Sequence, residues 1–311
     1  MRRVLETNLT LHHFDRSPFS EKVRLVLGFK KLRWRSVKVP VILPKPDVVA
    51  LTGGYRRTPF LQIGADIYCD TALMCRVIDQ VAPEPPLYAS PAGGVQNIVA
   101  QWADSPLFWA AVPYALQPAG LAHAFGGVPP EEIQAFAADR AAMTAGLRRA
   151  TTTDATAQLT TYLGWLRAQL AGGQAFLLGD QPCIADFAAV HPVWFVRQSP
   201  PLAAISDDAA INAWYDRMMA FGHGGPELVS STDAIAAAAA ATAHAATEVE
   251  PGLGFERGAP VTVSAMDYAT DLVAGTLVGL TANQVTIERR DERAGTVHVH
   301  FPRIGYQIKK A

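Results

Sequence analysis

Ser17-Pro18-Phe19-Ser20-Glu21-Lys22-Val23-Arg24 decides how the chain is read, because a strand gives way to a helix here. Before it, Leu9 to Phe14 reads as a strand. After it, Phe19, Val23, Val26 and Leu27 fall on one helical stripe. Ser17 is a good N-cap, Pro18 suits the first helical position, and Gly28 can end the helix. Ser17 thus stands at a helix mouth, where free backbone N–H groups and the dipole favour an anion. A thiolate would be stabilised there. A capping hydroxyl with no chemistry fits the same residues, and both readings stay open.

Working outward, Arg33 to Val39 alternates as a second strand, and Pro40, Pro44 and Pro46 forbid a long element after it. Asp47 to Leu51 suits a short helix stopped by Gly53-Gly54. Tyr55 to Ile63 is a strand entered through Pro59, and Asp66 to Cys69 returns as its hairpin partner. Asp70-Thr71 then caps a long helix buried through Met74, Val77, Ile78 and Val81. Val81 to Gly94, with Pro83, Pro85, Pro86 and Pro91, reads as a linker.

From Val95 to about Ala246 the pattern is helical throughout, with helices expected over Glu131 to Leu147 and Thr153 to Leu170. Gly179-Asp180-Gln181-Pro182-Cys183-Ile184-Ala185-Asp186 opens another, carrying Phe187, His191, Trp194 and Phe195 on its apolar face. Asp186 can reach back to the backbone N–H at position 183, although the Cys183 thiol is a poor capping acceptor. From Glu250 the period changes to two: Val261 and Val263, Val285 and Ile287, Val297 and Val299, Tyr306 and Ile308 alternate with polar neighbours. Four or five short strands follow from this, as a small open sheet or an SH3-like barrel.

The order strand, helix, strand, short helix, strand, strand, helix, with a strand-entering proline, resembles a thioredoxin-like domain. The ordered set Ser17-Pro18-Phe19-Ser20, Arg57-Thr58-Pro59-Phe60-Leu61 and Asp70-Thr71 is similar to the N-terminal domain of glutathione transferases. Gly-Asp-x-Pro-x-x-Ala-Asp at 179–186 resembles the capping box of that family's helical domain, with Cys183 in place of its usual Ser or Thr. The resemblance implies a thioredoxin-like glutathione-binding domain over 1–86 and an all-helical domain over 87–248. The β-rich segment 249–311 is foreign to the family pattern.

The resemblance also implies a site. Pro59 would be the family's cis-proline, and Thr58 would offer its backbone N–H and C=O to the cysteinyl unit of glutathione. Asp70-Thr71, where many members have Glu-Ser or Gln-Ser, would hold the γ-glutamyl end. Arg57 would attract the glycyl carboxylate; a solvated surface charge fits it equally. Ser17 would hydrogen-bond the sulfur and lower its pKa, with Ser20 as runner-up. Phe108, Trp109 and Tyr114 would wall an apolar second substrate, while Trp102, His12 and His13 read as core and Tyr55 and Tyr68 as packing.

Composition narrows the function classes. The 311 residues are 50% hydrophobic with a formal net charge of −1, which gives no electrostatic reason to expect nucleic acid or an anionic membrane. Cys69, Cys75 and Cys183 have no metal or redox spacing, so no metal is expected and a reducing cytoplasm is. Met1 to Glu6 has no apolar leader run, and Ala234 to Ala246 falls short of the roughly 20 residues that span a bilayer.

Three accounts of function result. The first is a detoxifying, homodimeric glutathione transferase acting on alkyl or aryl groups, with glutathione as co-substrate and an apolar electrophile. The second is a glutathione- or protein-binding module of the same fold without chemistry, its β segment used for docking. The third places the function in the tail, where seven Lys and Arg face six Asp and Glu from Pro251 onward, too balanced for a phosphate-binding stripe.

Overall fold

The computed structural model describes residues 5–124, 126–199 and 202–311; the first four residues, part of the stretch read above for a leader, lie outside them. Strand β1 (Leu5–His13) leads into helix α1 (Pro18–Phe29), then β2 (Leu32–Lys38), α2 (Pro46–Thr52), β3 (Phe60–Ile63), β4 (Asp66–Cys69) and α3 (Thr71–Val81). This is the predicted order, element for element. Gly28 departs from expectation by lying inside α1. A Cβ there would fall 2.0 Å from the Gly222 carbonyl oxygen, so the glycine serves a close packing contact and not the helix stop.

The linker is pinned to the first domain through Lys30. Its buried ammonium meets Asp79 at 2.6 Å and the carbonyls of Ala82 and Pro85 at 2.6 and 2.9 Å. Beyond it come α4 (Val95–Trp102), a π-helical turn (Ala103–Leu107), α5 (Phe108–Ala115), α6 (Pro118–Ala124), α7 (Pro130–Met143), α8 (Thr152–Leu170), α9 (Ile184–Arg197), α10 (Ala203–Ser206) and α11 (Ala209–Met219). Pro106 sits inside the π turn, where its missing N–H disrupts the regular helical ladder. Helix α9 is the buried centre. Asp186 accepts from the backbone N–H of Cys183 at 3.0 Å, as expected, and also from Leu177 N and Trp214 Nε1.

Helix does not continue to Ala246. The chain turns at Gly222 and Gly224, both at positive φ, and lays strand β5 (Gly225–Leu228) parallel to the outer edge of β2. A short helix α12 (Ser231–Ala239) follows, and residues 241–248 run on without helix. The edge of β2 offers unpaired backbone groups, and this non-local pairing outweighs the helix-like composition.

The last strands are β6 (Pro260–Ala265), β7 (Val273–Leu280), β8 (Gln284–Asp291), β9 (Gly295–Pro302) and β10 (Tyr306–Lys310). They form an open antiparallel array, and no SH3-like barrel is seen among them. The array joins the first domain: β9 pairs in parallel with β4, Ile67 opposite Val299, to give one sheet of order β10-β6-β7-β8-β9-β4-β3-β1-β2-β5. The β segment thus docks onto the thioredoxin-like sheet of its own chain. Strand β7 escaped the alternation pattern because its pairing with β8 shifts register between Leu277 and Gly279.

Candidate active site

Ser17 caps α1 with extended backbone, and Pro18 holds the first helical position. Its Oγ accepts from Ser20 N at 3.2 Å and donates to the Thr58 carbonyl at 3.4 Å. The Thr58-Pro59 peptide bond is cis, as expected, and delivers that carbonyl to the helix mouth. Ser17 is only 2% exposed. In this conformation its proton is committed to Thr58. Ser20 Oγ is buried and has no hydrogen-bond partner among the described residues.

Asp70 and Thr71 open α3 beside this point. Asp70 has φ 76° and ψ 132°, a strained backbone for a residue with a side chain, and its carboxylate accepts from Ala72 N at 2.9 Å. Burial raises its pKa, against the opposing pull of the Ala72 N–H and Arg57. Thr71 Oγ1 accepts from Lys22 Nζ at 3.2 Å.

Lys22 begins a buried relay. Fully enclosed, it meets Asp104 of the π turn at 2.5 Å, and Asp104 meets His191 Nε2 of α9 at 3.0 Å. Burial works against both charges, but each compensates the other: Lys22 is held above its ordinary range and Asp104 below its own. Burial lowers the His191 pKa despite Asp104; a carboxylate only accepts, so Nε2 carries a proton and donates it to Asp104. His191 stands on the α9 face expected from the sequence to be apolar, and no sequence signal marks Lys22 or Asp104. These residues come from three separated helices, and no local motif joins them.

Arg57 is not a solvated surface charge. It is 9% exposed and held by the C-terminal strands: its guanidinium donates to the Asp267 carboxylate and the Tyr268 carbonyl. It also stacks 3.8 Å from the centroid of the Tyr268 ring. Tyr306 Oη lies 3.2 Å from the free oxygen of Asp70 and 3.2 Å from Tyr55 Oη. The segment 266–272 between β6 and β7, together with Tyr306, therefore lies over the side chains expected to hold glutathione. Nothing in the period-two pattern of the tail points to this contact.

The apolar wall forms in part. Phe108 packs 4.6 Å from Phe19, next to the Ser17-Pro18 turn, and 5.2 Å from Trp109. Trp109 in turn meets Tyr268 edge to face at 5.1 Å, so Tyr268 bridges Arg57 of the first domain and Trp109 of the second. Tyr114 is buried further along α5. Trp102 packs with Tyr162 and Trp165, and His12 and His13 are core histidines bonded to Gln62 and Ser36.

A thioredoxin-like domain with a cis-prolyl edge, followed by an all-helical domain, defines the two-part architecture of glutathione transferases. Residues 11–86 match the glutathione S-transferase N-terminal domain family, and residues 134–217 match the glutathione S-transferase C-terminal domain family. A GST-like protein from Pseudomonas syringae is 39% identical, with a TM-score of 0.81 over 98% of this chain and 99% of its own. The chain belongs to the glutathione S-transferase family.

That match spans nearly the whole of both chains, so the C-terminal strands are shared with the bacterial protein. Glutathione transferase F2 from Populus trichocarpa is 14% identical, with a TM-score of 0.52 over 68% of this chain and 93% of its own. Glutathione S-transferase III in apo form is 20% identical, with a TM-score of 0.52 over 69% and 92%. These two likenesses are of fold. No curated protein matches the sequence. No described helix is long and apolar enough to cross a membrane.

Proposed function

We propose that the chain is a glutathione transferase-like enzyme that activates the thiol of glutathione for attack on an apolar electrophile. The observation that carries this reading is the meeting of Ser17 Oγ with the Thr58 carbonyl at the mouth of α1, beside Asp70-Thr71. The cysteinyl backbone of glutathione would pair with Thr58. Asp70 and Thr71 would take the γ-glutamyl amine and carboxylate, with Lys22 holding Thr71 in place. Ser17 would turn its proton from Thr58 to the sulfur, and the α1 dipole would add to the stabilisation of the thiolate.

An electrophile against Phe108 and Trp109 would then be attacked by that sulfur, with its leaving group expelled. Arg57 would meet the glycyl carboxylate once released from Asp267. Glutathione thus enters as the 266–272 segment parts from Arg57. A homodimer, a cytoplasmic setting and a role in detoxification belong to the same reading and rest on family membership.

A second reading is favoured by one observation. The hold of Asp267, Tyr268 and Tyr306 on Arg57 and Asp70 suits a module whose glutathione groove has been given over to its own C-terminal strands. Retention on immobilised glutathione and a conjugation assay with a broad electrophile separate the two. Binding with turnover supports the enzyme, absence of binding supports the module with its groove filled, and binding without turnover would leave an open glutathione-binding groove without chemistry.

A further inference from the structure

The seam between β4 and β9 brings together three side chains from distant parts of the chain. Asp66 opens β4, His298 lies opposite it on β9, and His244 comes from the non-helical segment that follows α12. Among the described residues, one donor atom from each lies within 4.8 Å of the others. His298 Nδ1 is 3.9 Å from Asp66 Oδ1, and His244 Nδ1 is 3.9 Å from Asp66 Oδ2. Both ring nitrogens are buried without a hydrogen-bond partner. Two orphaned nitrogens facing one carboxylate call for an explanation.

The surroundings are built to aim these atoms. His298 Nε2 faces Glu288 Oε2 at 3.4 Å; a carboxylate only accepts, so that nitrogen carries the proton and Nδ1 is left with a bare lone pair. His300 Nδ1 accepts from the Gln284 amide at 2.9 Å, which puts its proton on Nε2, donated to Asp66 Oδ1 at 2.7 Å. The backbone N–H of Ala245 fixes the other Asp66 oxygen at 2.8 Å. A carboxylate behind one histidine, and donors behind the carboxylate, are what orient metal ligands.

We propose that Asp66, His244 and His298 bind one divalent transition-metal ion of the zinc type. Two imidazoles and a carboxylate suit zinc, cobalt or nickel, and not the all-oxygen preference of magnesium or calcium. The rings of His244 and His298 stack at 3.8 Å with 17° between their planes, so their ring lone pairs lie in nearly parallel planes. Donors around tetrahedral zinc lie about 3.3 Å apart, so closure needs a contraction and a turn of one ring. His244 is the more exposed ring, its side chain being 22% exposed against 10% for His298, and is the one that would turn. A fourth position would be open on the His244 side for water. The ion would clamp the segment around His244 onto the seam that joins the C-terminal strands to the first domain.

The test is calorimetric titration of Zn²⁺ into chelator-stripped full-length protein, repeated with Co²⁺ to read its visible spectrum. The proposal predicts one ion per chain, a low-symmetry cobalt spectrum, and at least tenfold weaker binding in His244→Gln and His298→Gln. His123→Gln, on an exposed histidine of α6, should bind as the parent does. Should His298→Gln fail to fold, His244→Gln decides, since its backbone lies outside the sheet. Absence of saturable binding in the parent, or binding that both variants retain in full, would overturn the proposal.

Discussion

At the scale of the residue, buried polar side chains set measurable properties. His12 is fully enclosed, bonded to Gln62 at 2.8 Å and stacked on Phe60, and burial lowers its pKa from 6.5 to about 4. The unfolded chain therefore takes up the proton first. The His12 contribution to stability is fully present above about pH 6.5 and is lost as the pH drops toward 4, by an amount on the order of 3 kcal/mol. Denaturant unfolding of the parent and of His12→Leu across this range should give a shallower pH dependence in the variant. Equal slopes would mean that His12 does not titrate as its burial demands. The Ser17 cap, the cis bond at Pro59 and the Asp70-Thr71 helix start were legible in the sequence because each belongs to a short motif at an element boundary. Lys22, Asp104, His191, Tyr268 and Tyr306 were not, because their significance arises from partners 49 or more positions away.

At the scale of the element, the segment 266–272 covers Arg57, one of the side chains proposed to hold glutathione. Its hold consists of an Arg57–Asp267 ion pair, a cation–π contact of about 0.5–2 kcal/mol, and the edge contact of Tyr268 with Trp109. Any ligand that needs Arg57 must first displace these contacts, which lowers its apparent affinity by the fraction of time the groove is open. Tyr268→Ala should therefore tighten glutathione binding about tenfold, or about 1.4 kcal/mol, by equilibrium titration. Unchanged or weaker binding would mean that Tyr268 is part of the site and no obstacle to it. The element order of the first domain was readable because strand alternation, caps and proline placement agree there. The β5 strand was not, since Gly225-Pro226-Glu227-Leu228 becomes a strand only by pairing with the edge of β2.

At the scale of the molecule, the C-terminal strands are continuous with the first domain. Strand β4, whose Ile67 is fully buried, has β3 on one side and β9 on the other. Removing residues 250–311 would leave β4 as an open edge and expose the apolar surface between the two arrays. The truncated chain should aggregate or lose most of its cooperative unfolding, seen by size-exclusion chromatography and thermal denaturation. A monodisperse truncated protein with an unchanged melting temperature would show the strands to be an independent module. The tail's strand character was visible in its period of two. Its attachment was not, because parallel pairing of β9 with β4 joins segments 232 residues apart, as Asp66 and His298 mark.

The central claim is that Ser17 lowers the pKa of a glutathione thiol held at the α1 mouth. The measurement that tests it most directly is an ultraviolet titration of the thiolate of glutathione bound to the parent protein and to Ser17→Ala. The account predicts a bound thiol titrating about two units below the free value of about 8.5, and a return toward that value in the variant with little loss of binding. A bound thiol that titrates as in solution, or one depressed equally without the Ser17 hydroxyl, would contradict it.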